Sequence, residues 1–182
     1  MNNFDLHTPT RILFGKGAIE NLRDQIPADA RVLVTYGGGS VKKTGVLDQV
    51  LSALNGIDVR EFGGIEPNPS YETLMNAVKI ARDEKITFLL AVGGGSVLDG
   101  TKFIAAAAHY DASIDPWEIL ETYGSKVASA IPMGSVLTLP ATGSESNKGA
   151  VISRKTTGDK RAFMSTHVQP VFAILDPVYT YT

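Results

Sequence analysis

The chain contains no cysteine and only three histidines among its 182 residues. Without cysteine it forms neither disulfides nor thiolate metal sites, a composition that fits the reducing cytoplasm. The histidines are His7, His109 and His167, and no two of them are four residues apart. That spacing would place a metal-binding pair on one helix face, so we expect no metal ligand within this chain.

Strong charge and long apolar runs are also missing. The formal net charge is -2 at pH 7, which predicts no basic surface for nucleic acid or for acidic membranes. No apolar stretch reaches the length of a membrane span, and the first residues lack the basic and then apolar pattern of a signal peptide. We therefore expect a soluble cytoplasmic protein whose partners include neither nucleic acid nor membrane.

Short apolar runs alternate with segments of helical periodicity along the whole sequence. The pattern predicts strands at 31–36, 58–65, 87–92, 131–141 and 171–177. It predicts helices at 46–56, closed by Gly56, at 70–85, capped by Ser70, and at 101–110. Residues 10–26 predict a strand, a glycine turn and a helix. This alternation indicates an α/β fold, a Rossmann-like layered domain with a mainly parallel sheet flanked by helices, over residues 1–182.

The motif GGGSV occurs twice, at 37–41 and 93–97, each time between a predicted strand and a helix. At the carboxyl end of a parallel strand, such a loop lets a ligand touch the backbone. The following helix offers free N–H groups, which suits a pyrophosphate. Ser96 either donates to a phosphate or caps its helix, with Asp99 at capping-box spacing. The alternative is that both loops are only tight turns.

The first loop lacks the acid that reads the 2′-hydroxyl of an adenosine ribose. No Asp or Glu lies between Tyr36 and Asp48, whereas Ser40, Lys42 and Lys43 are present. Hydroxyl and cationic groups suit the 2′-phosphate of NADP(H). The alternative is that both lysines lie on a solvated helix face.

A third segment, residues 138–151, is rich in hydroxyls and follows a predicted strand. Its Thr138, Thr142, Ser144 and Asn147 suit hydrogen bonds to phosphate, ribose or a carboxamide. The alternative is a polar loop whose side chains satisfy their own backbone.

These segments, taken in order, resemble the iron-containing alcohol dehydrogenase family over the whole chain. The resemblance is carried by GGGSVLDGTK (93–102), TGSES (142–146), Lys160 and FAILDP (172–177). The stretches 2–19 and 63–74 are similar to the bacterial branch of NADPH-dependent aldehyde reductases and butanol dehydrogenases. The family often has a longer loop before TGSE than this chain has.

The resemblance implies a nicotinamide-binding α/β domain followed by an all-helical domain. In that second domain one Asp and usually three His hold iron or zinc. For this chain it implies that Gly94, Gly95 and Ser96 hold the pyrophosphate and that Gly38, Gly39 and Ser40 face the adenosine ribose. Around the ribose–nicotinamide half it places Thr138, Thr142, Ser144, Asn147 and Lys160. At the adenosine end it places Asn68 and Tyr179.

The main functional hypothesis is the NADP(H)-binding half of a metal-dependent alcohol dehydrogenase or aldehyde reductase acting on short-chain aldehydes or alcohols. One alternative is a dinucleotide-binding module without catalysis of its own. Another is a lyase domain similar to dehydroquinate synthase that binds NAD, which an acid beside the first loop would have favoured. The sequence ends where the helical domain is expected, so we expect residues 1–182 alone to be inactive. Residues 4–14 also predict an edge strand that pairs two copies into a homodimer.

Overall fold

The computed structural model describes residues 8–181, in which strands and helices alternate. The strands are β1 Arg11–Phe14, β2 Arg31–Tyr36, β3 Asp58–Phe62, β4 Phe88–Gly94, β5 Met133–Leu139, β6 Gly149–Arg154, β7 Asp159–Met164 and β8 Phe172–Leu175. The helices are α1 Ser40–Lys43, α2 Val46–Ala53, α3 Tyr71–Asp83, α4 Gly95–His109 and α5 Glu118–Glu121. Short 3-10 turns cover Ala18–Asn21, Arg23–Gln25, Thr166–Val168 and Pro177–Thr180.

Six strands form one parallel sheet in the order β1-β8-β5-β4-β2-β3. Alternate side chains of β2 point to opposite faces, because Leu33 packs with α3 and α4 while Val32 and Val34 pack with α2. Apolar layers therefore cover both faces of the sheet, which confirms the predicted α/β Rossmann-like fold.

Helix α4 lies close against the sheet because its central side chains are small. Ala105, Ala106 and Ala107 are fully buried. At Gly100 an added Cβ would lie 2.9 Å from Leu74 Cδ2, so glycine is needed where α4 meets α3. Close packing of this kind fixes the direction in which the amino end of α4 points.

An antiparallel hairpin of β6 and β7 packs on the α4 side of the sheet. Ile152 and Phe163, one from each strand, are fully buried in that layer. This hairpin was not predicted from the sequence. In β6 the buried residues Ala150 and Ile152 flank the exposed Val151, whereas in β7 only Phe163 is buried, a pattern that becomes informative only once the covered face is known.

The segment after β1 corrects a prediction, because residues 18–25 form two 3-10 turns rather than a helix. Gly15 and Gly17 both have positive φ, and Pro27 forces extended backbone on Ile26. Too few residues remain between these points for a stable α-helix. The strand predicted at 58–65 also ends early, at Phe62.

Two predicted helix boundaries can be compared with the structure. Ser70 caps α3, its hydroxyl accepting from the Thr73 N–H at 3.4 Å, as predicted. Helix α2 ends at Ala53, so Gly56 is not its C-cap but lies in the following turn with φ +84°.

β1 lies at one edge of the sheet and pairs with β8 alone among the described strands. Of the predicted strand at 4–14, residues 11–14 are strand and residues 4–7 lie outside the described part of the chain. Between residues 8 and 181, no helix combines the length and the apolar character needed to cross a membrane.

Candidate functional site

Both glycine loops leave the same edge of the sheet. β2 and β4 are parallel neighbours, with Tyr36 opposite Val92 at their carboxyl ends. The loops that follow border one cleft of about 440 Å³, together with Thr138 and Tyr179. This is the position at which open parallel sheets bind ligands.

In the second glycine loop, residues 93–95, neighbouring side chains leave no room for a Cβ at two positions. A Cβ on Gly93 would lie 2.7 Å from Val97 Cγ2, and one on Gly95 would lie 2.9 Å from Thr142 Oγ1. Gly94 is the N-cap of the 15-residue helix α4, and no side chain caps that end. The loop therefore offers bare backbone and uncapped N–H groups to an anion, and these features fit the pyrophosphate of a dinucleotide.

The capping box predicted for this helix is absent. Ser96 Oγ accepts from the Asn68 N–H at 3.3 Å. The Asp99 carboxylate instead accepts from Ser144 Oγ at 2.7 Å and from the Val151 N–H at 3.0 Å. Asp99 thus binds the loop after β5 rather than the start of its own helix.

The first glycine loop differs from the second, because the space around two of its glycines is free of other atoms. A Cβ on Gly38 or Gly39 would meet no atom within 4 Å. Ser40 is exposed at the start of α1, and Gly39 before it has φ +113°. Lys42 Nζ lies 4.9 Å above the centre of the Tyr36 ring, and Lys43 is exposed. The predicted hydroxyl and cationic groups therefore stand beside free space.

One acidic residue near the first glycine loop was not predicted from the sequence. The Tyr36 hydroxyl donates to Glu61 Oε2 at 3.1 Å, and Glu61 belongs to the neighbouring strand β3. The carboxylate is thus engaged by the tyrosine that ends β2.

Lys102 organises the third segment. The residue is fully buried, and its ammonium donates to Ser144 Oγ at 2.8 Å, Asn147 Oδ1 at 2.9 Å and the Gly149 carbonyl at 2.8 Å. Burial lowers the pKa of Lys102 to about 8, against the opposing charges of Asp99 and Glu145. This lysine belongs to the motif at 93–102, and no role was predicted for it, although a charge beside the apolar run FIAAAA is a signal of a buried, paired group.

The predicted residues of this segment divide into two groups. Ser144 is only 2% exposed, and its hydroxyl both donates to Asp99 and accepts from Lys102. Thr138 is half-buried and lines the cleft, Thr142 is exposed beside Gly95, and Asn147 is exposed, with its Oδ1 accepting from Lys102 and from the Gly149 N–H. Direct contact of Ser144 with a cofactor stays a prediction, and its hydroxyl is already in use.

Asn68 and Lys160 meet, although the resemblance implied opposite ends of the cofactor for them. Lys160 Nζ donates to Asn68 Oδ1 at 2.7 Å. Asn68 also has φ +57°, a strained conformation for a residue other than glycine. Because the Asn68 N–H donates to Ser96 Oγ, Asn68 links the hairpin to the second glycine loop.

Tyr179 joins the cleft to a second depression of about 280 Å³. Its hydroxyl donates to Gln49 Oε1 at 2.8 Å. Thr44 and Tyr181 border both spaces as well. The groove is thus longer than the space between the glycine loops, as an extended dinucleotide requires.

The side chains of residues 8–181 do not fit a catalytic metal. Across this part of the chain, no three His, Cys, Asp or Glu side chains come together as a metal-binding group. His109 is exposed at the end of α4, with Nδ1 at 3.3 Å from Ser129 Oγ, and His167 lies in a 3-10 turn. His7 lies outside the described residues.

Comparison with known proteins gives consistent matches. The sequence profile of a family described as iron-containing alcohol dehydrogenase matches residues 9–177. The NADPH-dependent aldehyde reductase YqhD of Escherichia coli is 82% identical over 182 residues, covering 100% of this chain and 47% of that protein. The probable NADH-dependent butanol dehydrogenase 1 of Bacillus subtilis is 48% identical over 185 residues, covering 100% of this chain and 47% of that protein.

The crystal structure of Escherichia coli K-12 YqhD matches with a TM-score of 0.98 at 82% identity, covering 100% of this chain and 46% of that one. This chain spans about half the length of the curated relatives that it matches.

Proposed function

Because the chain belongs to the iron-containing alcohol dehydrogenase family, we propose that residues 1–182 are the NADP(H)-binding domain of an alcohol dehydrogenase or aldehyde reductase. The whole enzyme would transfer hydride between NADPH and short-chain aldehydes or alcohols. The observation that carries this proposal is the pair of glycine loops on neighbouring parallel strands, which border one cleft.

The chain's own residues bind and orient the cofactor. Gly94 and Gly95 leave room for the pyrophosphate against the uncapped end of α4, with Ser96 beside it. The first loop, with Gly38, Gly39 and Ser40, holds the adenosine ribose. NADPH supplies the hydride when it is bound.

The nicotinamide half lies along the loop after β5. Thr138 and Thr142 offer hydroxyl groups there, and Asn147 offers the N–H of its amide that does not donate to the Thr142 carbonyl. Ser144 supports the loop from the buried side. Lys160 and Asn68 link the hairpin to Ser96 in the second glycine loop.

NADP(H) is preferred over NAD(H) in this proposal. Names of relatives do not decide the point, since the Escherichia coli relative is called NADPH-dependent and the Bacillus subtilis relative is called NADH-dependent. The first loop supports NADP(H), because Ser40 and Lys43 stand exposed beside open space and the loop carries no carboxylate.

The metal, iron or zinc, would be held by ligands beyond residue 182, since residues 8–181 do not assemble a ligand set. The same observation favours a second candidate for this chain taken alone, a dinucleotide-binding module without catalysis. A homodimer through the N-terminal strand predicted at residues 4–14, of which residues 11–14 form the edge strand β1, completes the proposal.

Calorimetric titration of the chain with NADPH and with NADH tests the proposal. We expect saturable binding of both at one site, with NADPH the tighter ligand. Failure to bind either cofactor would contradict the assignment as a dinucleotide-binding domain. Equal or tighter binding of NADH would contradict the proposed preference alone.

A further inference from the structure

Lys102 is a buried cation whose three direct partners are all uncharged. Its ammonium donates to Ser144 Oγ, Asn147 Oδ1 and the Gly149 carbonyl, at 2.8 to 2.9 Å. An ammonium has three N–H groups, and here each has an acceptor. Burying a charge costs free energy unless hydrogen-bond partners are supplied. The ammonium therefore holds its three acceptors in place, just as the acceptors hold the ammonium.

The three acceptors belong to one short stretch, residues 144–149, which follows β5. Asp99 lies one turn before Lys102 on α4 and holds the same stretch through Ser144 Oγ and the Val151 N–H. Ser144 donates to Asp99 and accepts from Lys102, so the two α4 side chains share it. Two side chains of α4 thus hold the connection from β5 to β6 at Ser144, Asn147, Gly149 and Val151.

The same helix begins at the second glycine loop. Thr142, at the start of the held loop, lies so near that loop that a Cβ on Gly95 would come 2.9 Å from its Oγ1. Helix α4 therefore sets the phosphate end and the nicotinamide end of the groove relative to each other. An apolar side chain would also fill the space that Lys102 occupies. Only a group with several N–H donors, such as the ammonium, can align three acceptors of a polar loop.

We propose that Lys102 is a positioning residue that holds the loop of residues 142–149 against α4 in the geometry that binds the nicotinamide half of the cofactor. The inference rests on the proposed function, because it needs a dinucleotide in the groove. It assigns Lys102 no contact with the cofactor. It predicts that loss of the ammonium affects the nicotinamide half and spares the adenosine half.

The test compares two ligands on the full 182-residue chain. NADPH reports on both halves of the groove, and 2′,5′-ADP reports on the adenosine half alone. With Lys102→Met, which keeps the length and volume of the side chain, we expect the Kd for NADPH to rise about tenfold or more. The Kd for 2′,5′-ADP should change less than about twofold. Lys79→Met is the matched control, because Lys79 is an exposed lysine that pairs with Asp83 on α3.

A pH series on the unsubstituted chain gives a readout that folding defects do not produce. Lys102 faces the charged groups Asp99 and Glu145, and its pKa is lowered to about 8 by burial. The ratio of the two Kd values, NADPH over 2′,5′-ADP, should rise as the pH increases through about 8, because the ammonium then loses a proton. Both ligands carry the 2′-phosphate, so its titration cancels in the ratio. The 5′-monophosphate of 2′,5′-ADP has a second pKa of about 6, so it is already ionised before the pH reaches 8. Lys102→Met should abolish this pH dependence and Lys79→Met should keep it.

Chemical rescue is available because the chain has no cysteine of its own. In Lys102→Cys the single thiolate displaces bromide from 2-bromoethylamine, forming one C–S bond and restoring an ammonium at the length of lysine. Alkylation before refolding should recover tight NADPH binding, and alkylation with iodoacetamide should not.

Equal weakening of both ligands in Lys102→Met, or of neither, would overturn the inference, as would a flat pH profile of the unsubstituted chain. If the unsubstituted chain binds neither ligand, the proposed function itself fails.

Discussion

Replacing Gly39 with Asp should move the cofactor preference from NADP(H) toward NAD(H). Gly39 precedes Ser40 in the open first loop, and a Cβ there meets no atom within 4 Å. A carboxylate at this position faces the space assigned to the 2′-phosphate. At about 5 Å, in surroundings between bulk water and protein surface, one pair of like charges costs about 1–3 kcal/mol.

That repulsion corresponds to a change of about 5- to 150-fold in the ratio of the two Kd values. Gly39 has φ +113°, so any side chain there is also strained, at a cost on the order of 1–3 kcal/mol. The strain weakens the binding of NADPH and of NADH equally, whereas the charge weakens only the binding of NADPH, which carries the extra phosphate. The ratio of the affinities therefore isolates the electrostatic effect.

Gly39→Asn is the matched control, because asparagine has nearly the shape of aspartate without its charge. Titration of NADPH and NADH into the original chain and both variants provides the measurement, repeated at 0.5 M salt to screen the repulsion. The reasoning is refuted if Asn and Asp change the ratio equally, or if the original chain already binds NADH as tightly as NADPH.

Three further predictions concern the loop packing, the assembly and the activity. Gly95→Ala should weaken NADPH about tenfold or more, because the new Cβ would lie 2.9 Å from Thr142 Oγ1; unchanged affinity in a titration would contradict the tight fit of this loop. Removing residues 1–10 should convert a dimer into a monomer in sedimentation, and two monomeric samples would refute pairing through the N-terminal strand predicted at residues 4–14. The 182-residue chain should bind NADPH yet not oxidise it with butanal and added zinc or iron(II), whereas a chain extended through a helical domain should. Metal-dependent turnover by the short chain would refute this and redirect the search for ligands to its histidines and carboxylates.

The sequence determined the alternation of strands and helices and the position of the glycine loops. Apolar side chains in continuous short runs bury on both faces of a parallel sheet, and this signal is local. The strands at 31–36 and 87–92 therefore matched the structure closely. The run of glycines at 93–95 was likewise a local signal, and the structure explains two of them, because a Cβ would be crowded by Val97 at Gly93 and by Thr142 at Gly95.

Only the tertiary structure decided what these elements place together. No single strand encodes its neighbour, and it is the order β4-β2 in the sheet that brings the two GGGSV loops to one cleft. The contact between Lys160 and Asn68 joins residues 92 positions apart, so no local pattern indicates it.

The role of Lys102 depended on tertiary structure in the same way. Its charge gives no local sign of its acceptors, which lie 42 to 47 positions later in the sequence. Local propensity likewise favoured a helix after Gly17, and the bounds imposed by Gly15, Gly17 and Pro27 left only 3-10 turns. Composition and periodicity are properties of neighbours in sequence, whereas burial and hydrogen bonding are properties of neighbours in space, and the site is made of the latter.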